Sequence, residues 1–381
     1  MSRSITRRKI SLPSLSPGSS HELAVYSFGA ANEGKSIYLQ AGLHADEHPG
    51  LLVLQHLLIQ LMQLDELGKI NGQVTVVPYA NPLGMSQRVF DSVLGRFDLA
   101  NGENFNRNFP NCSRVISQKI KAGVKCSSSD WKRNFATHLA SVKPTTPTAT
   151  LKLELTKMAM QHDIVLDLHC DVDCVSHLYA SHAQQDQAVR LATALNIPVV
   201  LLEPDDAGGH AFDNVYGSTW RELEINHAIT SGARGFSATI ELRGKANIDD
   251  RLAQTDAAGL LNFMAQEGII DAATTAGTDS QTTPTQTYPL VAASHIPCPA
   301  AGIVVYKKNP GDSVIESEVI AEVVHLDSDI IGERTPVHSD TNGVLVIRQA
   351  PGLVRPGQRL ALIASTTLPA IRDENRPLLD A

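Results

Sequence analysis

An almost unbroken apolar segment between two β-like runs constrains this fold most. "HPGLLVLQHLLIQLMQLDELGKI" (48–70) has apolar residues on nearly every helical face, which predicts a buried helix from near Pro49 to around Gly68. Before it stands "KSIYLQAGLHADE", a short strand over Ser36 to Gln40 that breaks at Gly42. After it comes "GQVTVVPYANP", a β-branched strand closed by a turn at Asn81-Pro82. The alternation continues. "HDIVLDLHCD" is an apolar strand running to His169, with "HLYAS" as a neighbour. "DQAVRLATALNI" reads as helix, "PVVLLE" and "GFSATIELRG" as strands, and "DDRLAQTDAAGLLNFMAQEGII" as a closing helix. This predicts an α/β domain with a mixed central sheet flanked by helices. The stretch from Cys112 to Pro147 is polar and is expected to be loop plus a short helix, a candidate lid.

Composition changes at "AATTAGTDSQTTPTQTYP" (272–289), a Thr/Ser/Gln-rich linker candidate. It separates an expected catalytic domain, 1–275, from an expected small all-β domain, 290–366, with a tail at 367–381. The second domain repeats a pattern: "AGIVVYKKNPGDSVIESEVIAEVV" is followed by "NGVLVIRQAPGLVRPGQRLALIA", each a strand, a Pro-Gly turn and a second strand.

Charge and cysteine usage narrow the setting. The 381 residues carry a formal net charge of −8, which argues against nucleic acid or an anionic membrane as partner. No apolar run approaches the roughly 18 residues of a membrane span, and the basic N-terminus lacks the apolar block of a secretory signal. Five scattered cysteines predict no disulfide framework and fit a reducing cytoplasm.

"GLHADEHPG" (42–50) places His44 and Glu47 three positions apart beyond a strand end, and His169 ends another strand. Loops at strand ends form the crevice of an open sheet, so these three can converge as a two-histidine, one-carboxylate set. Hydrolytic zinc uses that set and keeps a position for water. His48 is read as loop structure. Asp167 either orients the His169 imidazole or faces away as a strand-end carboxylate.

Four motifs in order, "GLHADEHPG", "NPLG" continuing to "NFNRNFP", "DLHCD" and "TIELRG", resemble the succinylglutamate desuccinylase/aspartoacylase family of the zinc carboxypeptidase clan. The resemblance covers roughly residues 35 to 270. It implies a zinc carboxypeptidase-like fold with one Zn2+ per chain on His44, Glu47 and His169. It implies Glu241 as catalytic glutamate, and Asn106 and Arg107 as the pair that holds a substrate carboxylate. A second arginine should polarise the scissile carbonyl; Arg96 is chosen, with Arg88 as its rival. "AFDNVYG" (211–217) and Arg234 are candidates for further pocket groups. The chain departs from the family in having Asn104-Phe105 where Asp-Leu is common, Ala45 where glycine is usual, and a longer segment from Arg88 to Asn106. The C-terminal domain resembles barrel-sandwich, lipoyl-like modules. "DSDIIGERTPVHSD" between its halves has no lysine, so no lipoyl or biotin attachment is expected. The module is expected to pack on the catalytic domain, shape the pocket mouth or mediate homo-oligomerisation.

The expected function is therefore that of a cytoplasmic zinc metallohydrolase, a deacylase. It would cleave an amide bond of a small carboxylate-bearing substrate such as an N-acyl amino acid, using metal-activated water and a glutamate general base. A peptide carboxypeptidase or ester hydrolase of the same clan, or a non-catalytic ligand-binding relative, is the alternative.

Overall fold

The computed structural model describes residues 6–30, 34–204, 210–230, 232, 234–272, 284–349 and 352–368. The chain forms two compact units: Met1–His169, Asp205–Ile240 and Ile248–Gln281 make the first, and Cys170–Pro204, Glu241–Asn247 and Thr282–Ala381 the second.

The elements begin β1 (Thr6–Leu12), β2 (His21–Gly29), β3 (Ser36–Ala41), α1 (Pro49–Glu66), β4 (Gln73–Val77) and α2 (Pro82–Met85). A small hairpin, β5 (Arg88–Val89) and β6 (Ser92–Val93), precedes α3 (Ser113–Lys121), α4 (Ser128–Ser141), α5 (Pro147–Ala159) and β7 (Ile164–Asp171). Next come β8 (Asp173–Cys174), β9 (His177–Ser181), α6 (Gln185–Ala194), β10 (Val199–Glu203), α7 (Phe212–Ile225), β11 (Phe236–Gly244) and α8 (Asp250–Gln266).

In the first unit the strands lie in the order β1-β2-β4-β3-β7-β11. β3 pairs in parallel with β4 on one side and β7 on the other, whereas β1 and β2 are antiparallel additions. This is a mixed sheet flanked by helices, as the alternating sequence pattern implied. Every residue of β3 is buried, as expected of a central parallel strand covered on both faces. From β3 the chain goes through α1 to β4, then crosses back to β7 on the other side of β3. The C-terminal ends of β3 and β7 therefore flank a topological switch point, where open sheets leave a crevice.

α1 starts on Pro49, whose missing N–H would have no partner in a first turn. It ends where Gly68 takes a left-handed conformation, φ +67°, and the Gly68 and Lys69 N–H groups return to the Asp65 and Leu64 carbonyls.

The 112–147 stretch differs from the loop expected. It holds α3 and α4, and Trp131, Phe135 and Leu139 of α4 are fully buried in one cluster with α5, α7 and the sheet. The three fall four residues apart, so a single narrow stripe is apolar while the average composition stays polar. A capping box between Ser127 and Asp130 starts the helix.

In the second unit β9, β10 and β12 (Gln286–Pro289) are parallel. The strands that follow are β13 (Ser294–Pro297), β14 (Gly302–Tyr306), β15 (Ser313–Val314), β16 (Val319–Val324), β17 (Arg334–His338), β18 (Gly343–Arg348), β19 (Gly352–Val354) and β20 (Arg359–Ala364). They form two four-stranded sheets, β13-β20-β18-β15 and β17-β16-β14-β19, with β8 pairing onto β18. The internal repeat is structural. Gly302 opens β14 and Gly343 opens β18, and a Cβ on either would come within 2.2 Å of the Val324 carbonyl or 2.1 Å of the Ala364 carbonyl, the last residues of β16 and β20. Two equivalent glycines thus seal two equivalent strand crossings. Of the expected linker, residues 273–283 lie outside the described residues, as do 369–381 of the expected tail.

Two buried histidines set an acid limit on stability. His162 in the first unit places Nδ1 2.8 Å from the Met158 carbonyl and Nε2 2.9 Å from Thr75 Oγ1, and burial pushes its pKa down to about 4. His177 in the second unit is likewise held down to about 4 by burial. A folded pKa below the unfolded value near 6.5 stabilises above that value, and the contribution is lost as pH falls from 6.5 toward 4. For His162 the full effect is about 3 kcal/mol. Urea midpoints should fall steeply over this window and less steeply in His162→Gln; equal slopes in the two proteins would refute the assignment.

Candidate metal centre

β3 delivers the first two residues. Gly42 has φ +70°, and a Cβ there would meet Leu51 at 2.7 Å, so only glycine turns the chain this close to α1. The Glu47 N–H donates to the His44 carbonyl at 3.1 Å, closing a turn that sets both side chains together just before α1. β7 delivers His169 from the neighbouring strand. The ligand-type atoms of His44, Glu47 and His169 all lie within 4.8 Å of one another. The three residues are 3–4% exposed.

The orientation of the rings carries chemical information. Both Nδ1 atoms face Glu47: His44 Nδ1 is 3.1 Å from Oε1, and His169 Nδ1 is 2.8 Å from Oε2. Both Nε2 atoms face acceptors on the outside. His44 Nε2 donates to Asn104 Oδ1 at 3.0 Å, and that oxygen is fixed as an oxygen because it also accepts the Asn106 N–H at 2.8 Å. His169 Nε2 is 2.9 Å from Asp167 Oδ2, an ion-pair approach rather than a well-aligned hydrogen bond. With the outer nitrogens directed at acceptors, the inner nitrogens of the neutral rings present lone pairs to a carboxylate. Such a convergence of electron pairs is reconciled by a cation or by extra protons, and it is the arrangement in which outer partners fix a metal-binding tautomer. The donor set therefore fits a divalent ion of the zinc type.

The charges agree. Burial lowers the pKa of His44, outweighing the Glu47 carboxylate. Burial would raise that of Glu47, but the two imidazoles hold it well below the usual carboxylate range. Burial would also lower His169, but Asp167 and Glu47 hold it well above normal. Asp213, buried at the start of α7, is pushed up to about 6 by burial and then by the Asp167 charge.

The segment after the small hairpin brings up an arginine. Gly95 packs so closely on Ala45 and Asp46 that a Cβ would come within 2.4 Å of backbone, and the Ala45 N–H donates to the Gly95 carbonyl at 2.9 Å. Arg96 follows, its guanidinium 3.4 Å from His44 Nδ1 and 3.7 Å from Glu47 Oε1. Its carbonyl accepts the Phe105 N–H, so Arg96 and Asn104 lie side by side at the cluster. Arg88 is exposed on β5.

The other expected residues take varied positions. Asn106 is buried and its Oδ1 accepts the Phe212 N–H at 2.8 Å; Arg107 donates to the Asn106 carbonyl at 2.8 Å. Glu241 belongs to the second unit, half-buried on β11. There its charge adds to burial in raising the pKa of the Cys174 thiol and the Tyr179 hydroxyl. His48 is the residue before α1 and lies outside the three-residue group. Arg234 pairs with Glu224.

Three supporting residues escaped the sequence. Asn104 was visible only as a departure from a family pattern. Lys152, 1% exposed, donates to Glu103 at 2.6 Å and to the Asn104 carbonyl at 3.1 Å, and so fixes the turn that carries Asn104. Gln87 ties the arginine segment: its Nε2 donates to the Leu94 and Phe97 carbonyls at 2.9 and 2.8 Å, and its Oε1 accepts the Leu99 N–H at 2.8 Å. No periodicity marks such residues; only the fold brings them to their partners.

Residues 33–266 match the family model described as the succinylglutamate desuccinylase/aspartoacylase catalytic domain. The chain belongs to this family. Among curated relatives, N-alpha-acetyl-L-2,4-diaminobutyric acid deacetylase of Halomonas elongata is 24% identical over 341 residues, 87% of this chain and 82% of that protein. A crystal structure of a family protein from Shewanella amazonensis superposes with a TM-score of 0.80 at 26% identity, covering 94% of this chain and 98% of the other. Another, from Shewanella frigidimarina, gives 0.77 at 22% identity, covering 95% and 97%. As a desuccinylase/aspartoacylase family member, the chain is a hydrolase by kinship, and its His-Glu-His group is a candidate metal site.

With Zn2+ as the probe ion, His44→Ala, Glu47→Ala and His169→Ala should each lose stoichiometric binding, and His48→Ala should keep it. Asn104→Ala should weaken binding by roughly 10- to 100-fold, because it releases an outer nitrogen. Metal analysis after dialysis against a competing chelator reads both. Wild-type protein that neither carries nor takes up zinc would end the assignment.

Proposed function

We propose that this protein is a Zn2+-dependent amidohydrolase that removes the acyl group from a small N-acyl amino acid. One observation carries the reading: the buried His44–Glu47–His169 group, whose inner lone pairs converge while Asn104 and Asp167 occupy the outer nitrogens. The deacetylase activity in the name of the Halomonas relative supports a substrate that joins an acylated amine to a carboxylate in one small molecule.

A Zn2+ ion, which these three residues would hold, would supply a Lewis acid and acidify water at the site. The protein's own groups do the rest. Asn104 and Asp167 orient the two rings. Arg96 is assigned to polarise the scissile carbonyl. Its side chain is 40% exposed beside the buried cluster, so guanidinium donors remain for a developing oxyanion. Arg107 is assigned to the substrate carboxylate, which a guanidinium grips through two parallel hydrogen bonds. Asn106 has its oxygen on the Phe212 N–H, which leaves the amide nitrogen as donor to the same carboxylate. Glu241 is assigned, on family resemblance, as general base and then general acid. It takes a proton from water and returns it to the leaving amine.

The C-terminal sheets, with their paired Gly302 and Gly343 crossings, support a barrel-sandwich module, and the connection between β16 and β17 contains no lysine for a carrier group. All five cysteines are free, which supports a reducing cytoplasm. No helix among the described residues is long and apolar enough to cross a membrane.

Zinc-loaded protein should hydrolyse members of a panel of N-acyl amino acids and leave the matching acyl amides without a carboxylate nearly untouched. Arg107→Ala should erase that preference through a raised KM. Glu241→Gln should lower kcat by about 10²- to 10⁴-fold, the usual worth of a general base, with bound metal unchanged. Retained turnover in Glu241→Gln would remove that residue from the mechanism.

A further inference from the structure

A cavity lies in the first unit, between the β1-β2-β4 end of the sheet and α5. Its volume is about 480 Å³, within the range of small-molecule sites. It is lined by Arg8, Ser27, Gln73, Thr75, Glu154, Lys157, Met158 and Gln161, and none of the metal-centre residues takes part.

Strand register explains why a cavity forms here. Residues directly opposite each other share a face. Ile10 faces Leu23, Arg8 faces Val25, and Ser27 faces Thr75. The face that holds Leu23, Val25 and Val77 in the helix-covered core therefore continues into Arg8, Ser27, Thr75 and Gln73. At one end of a core-facing surface, three adjacent strands switch from apolar to polar residues beneath the same helix. Such a polar end to a core-facing surface can hold water or a polar ligand.

The lining groups define that occupant. Lys157 and Glu154 pair at 2.7 Å. The Arg8 guanidinium, the Ser27 hydroxyl and the Gln73 carboxamide make no hydrogen bond or ion pair with any described residue. Arg8, exposed to water, thus offers a positive charge that no described carboxylate pairs with, in a planar fork suited to a carboxylate. Thr75 does the opposite. The Met158 carbonyl can only accept, so His162 Nδ1 carries the proton and Nε2 the lone pair. The Thr75 hydroxyl then spends its hydrogen on Nε2 and can only accept from the cavity. The low pKa of His162 keeps this polarity fixed at neutral pH. An acceptor hydroxyl, the Glu154 carboxylate with its Lys157 partner, and the Arg8 guanidinium line the same cavity. We infer that this cavity binds a free amino acid, its carboxylate on Arg8 and its ammonium toward Thr75 and Glu154, as a second site separate from the metal centre.

The test is equilibrium binding to the full-length protein, by calorimetry, with L-glutamate, L-aspartate and L-lysine as separate probes and acetate as the carboxylate alone. At least one amino acid should bind saturably in the micromolar-to-millimolar range. That binding should weaken about tenfold or more in Arg8→Ala and in Thr75→Val, and be partly recovered in Arg8→Lys. Arg8 is exposed, so its substitution leaves the fold intact, which circular dichroism checks. Binding that none of these variants changes would place the ligand elsewhere and overturn the inference. No saturable binding by any probe up to about 10 mM, a free energy too small for a built site, would do the same. Acetate binding as tight as the amino acids would overturn the assigned ligand class.

Discussion

Everything at the candidate metal centre follows from one buried carboxylate set between two imidazole rings. Glu47 lies between His44 Nδ1 and His169 Nδ1 and is almost wholly out of water. An ionised carboxylate in that position is costly unless positive charge or hydrogen bonds meet it from several sides. The fold supplies these supports one by one. β3 and β7 are adjacent and parallel, which puts their last residues side by side. Gly42 turns the chain sharply enough for Glu47 to reach back. Asn104 and Asp167 hold the far sides of the rings, and Arg96 brings a cation to the edge of the group. Trp131, Phe135, Trp220 and their neighbours form one buried core in this unit.

The second unit depends on a different economy. Its three segments are far apart in sequence, and its apolar cluster joins Tyr179, Val199 and Leu201 to Val346, Ile347 and Leu362. The C-terminal sheets are thus built onto β9, β10 and β12 rather than onto a core of their own alone. Arg348 helps to fasten them: it pairs with Asp173 and lies over the Tyr306 ring.

Legibility in the sequence followed the range of the forces. Elements with a strong local period, such as α1 or the buried strands, could be read because burial leaves its mark residue by residue. The grouping of His44, Glu47 and His169 could be anticipated because the ends of adjacent parallel strands bring their last side chains together. α4 could not, because its burial stripe is one residue wide. Asn104, Lys152 and Gln87 could not, because each acts through a backbone or ring that only folding brings near. The choice between Glu47 and His48 likewise needed the turn at His44, which sends one side chain to the imidazoles and leaves the other at the head of α1.

The tight seat of Gly95 on Ala45 bears on how this chain tolerates change. It acts as a clasp: residues on the Arg96 side are registered to the metal centre, and those on the β5-β6 side are outside that register. The hairpin on the far side of the clasp offers a place where length can change while the arginine stays where it is. Phe90 at its tip is almost fully exposed. Insertions, deletions or grafted peptides between Val89 and Ser92 therefore have a site where they can vary freely, while a single methyl group added at Gly95 would be felt at the cluster itself.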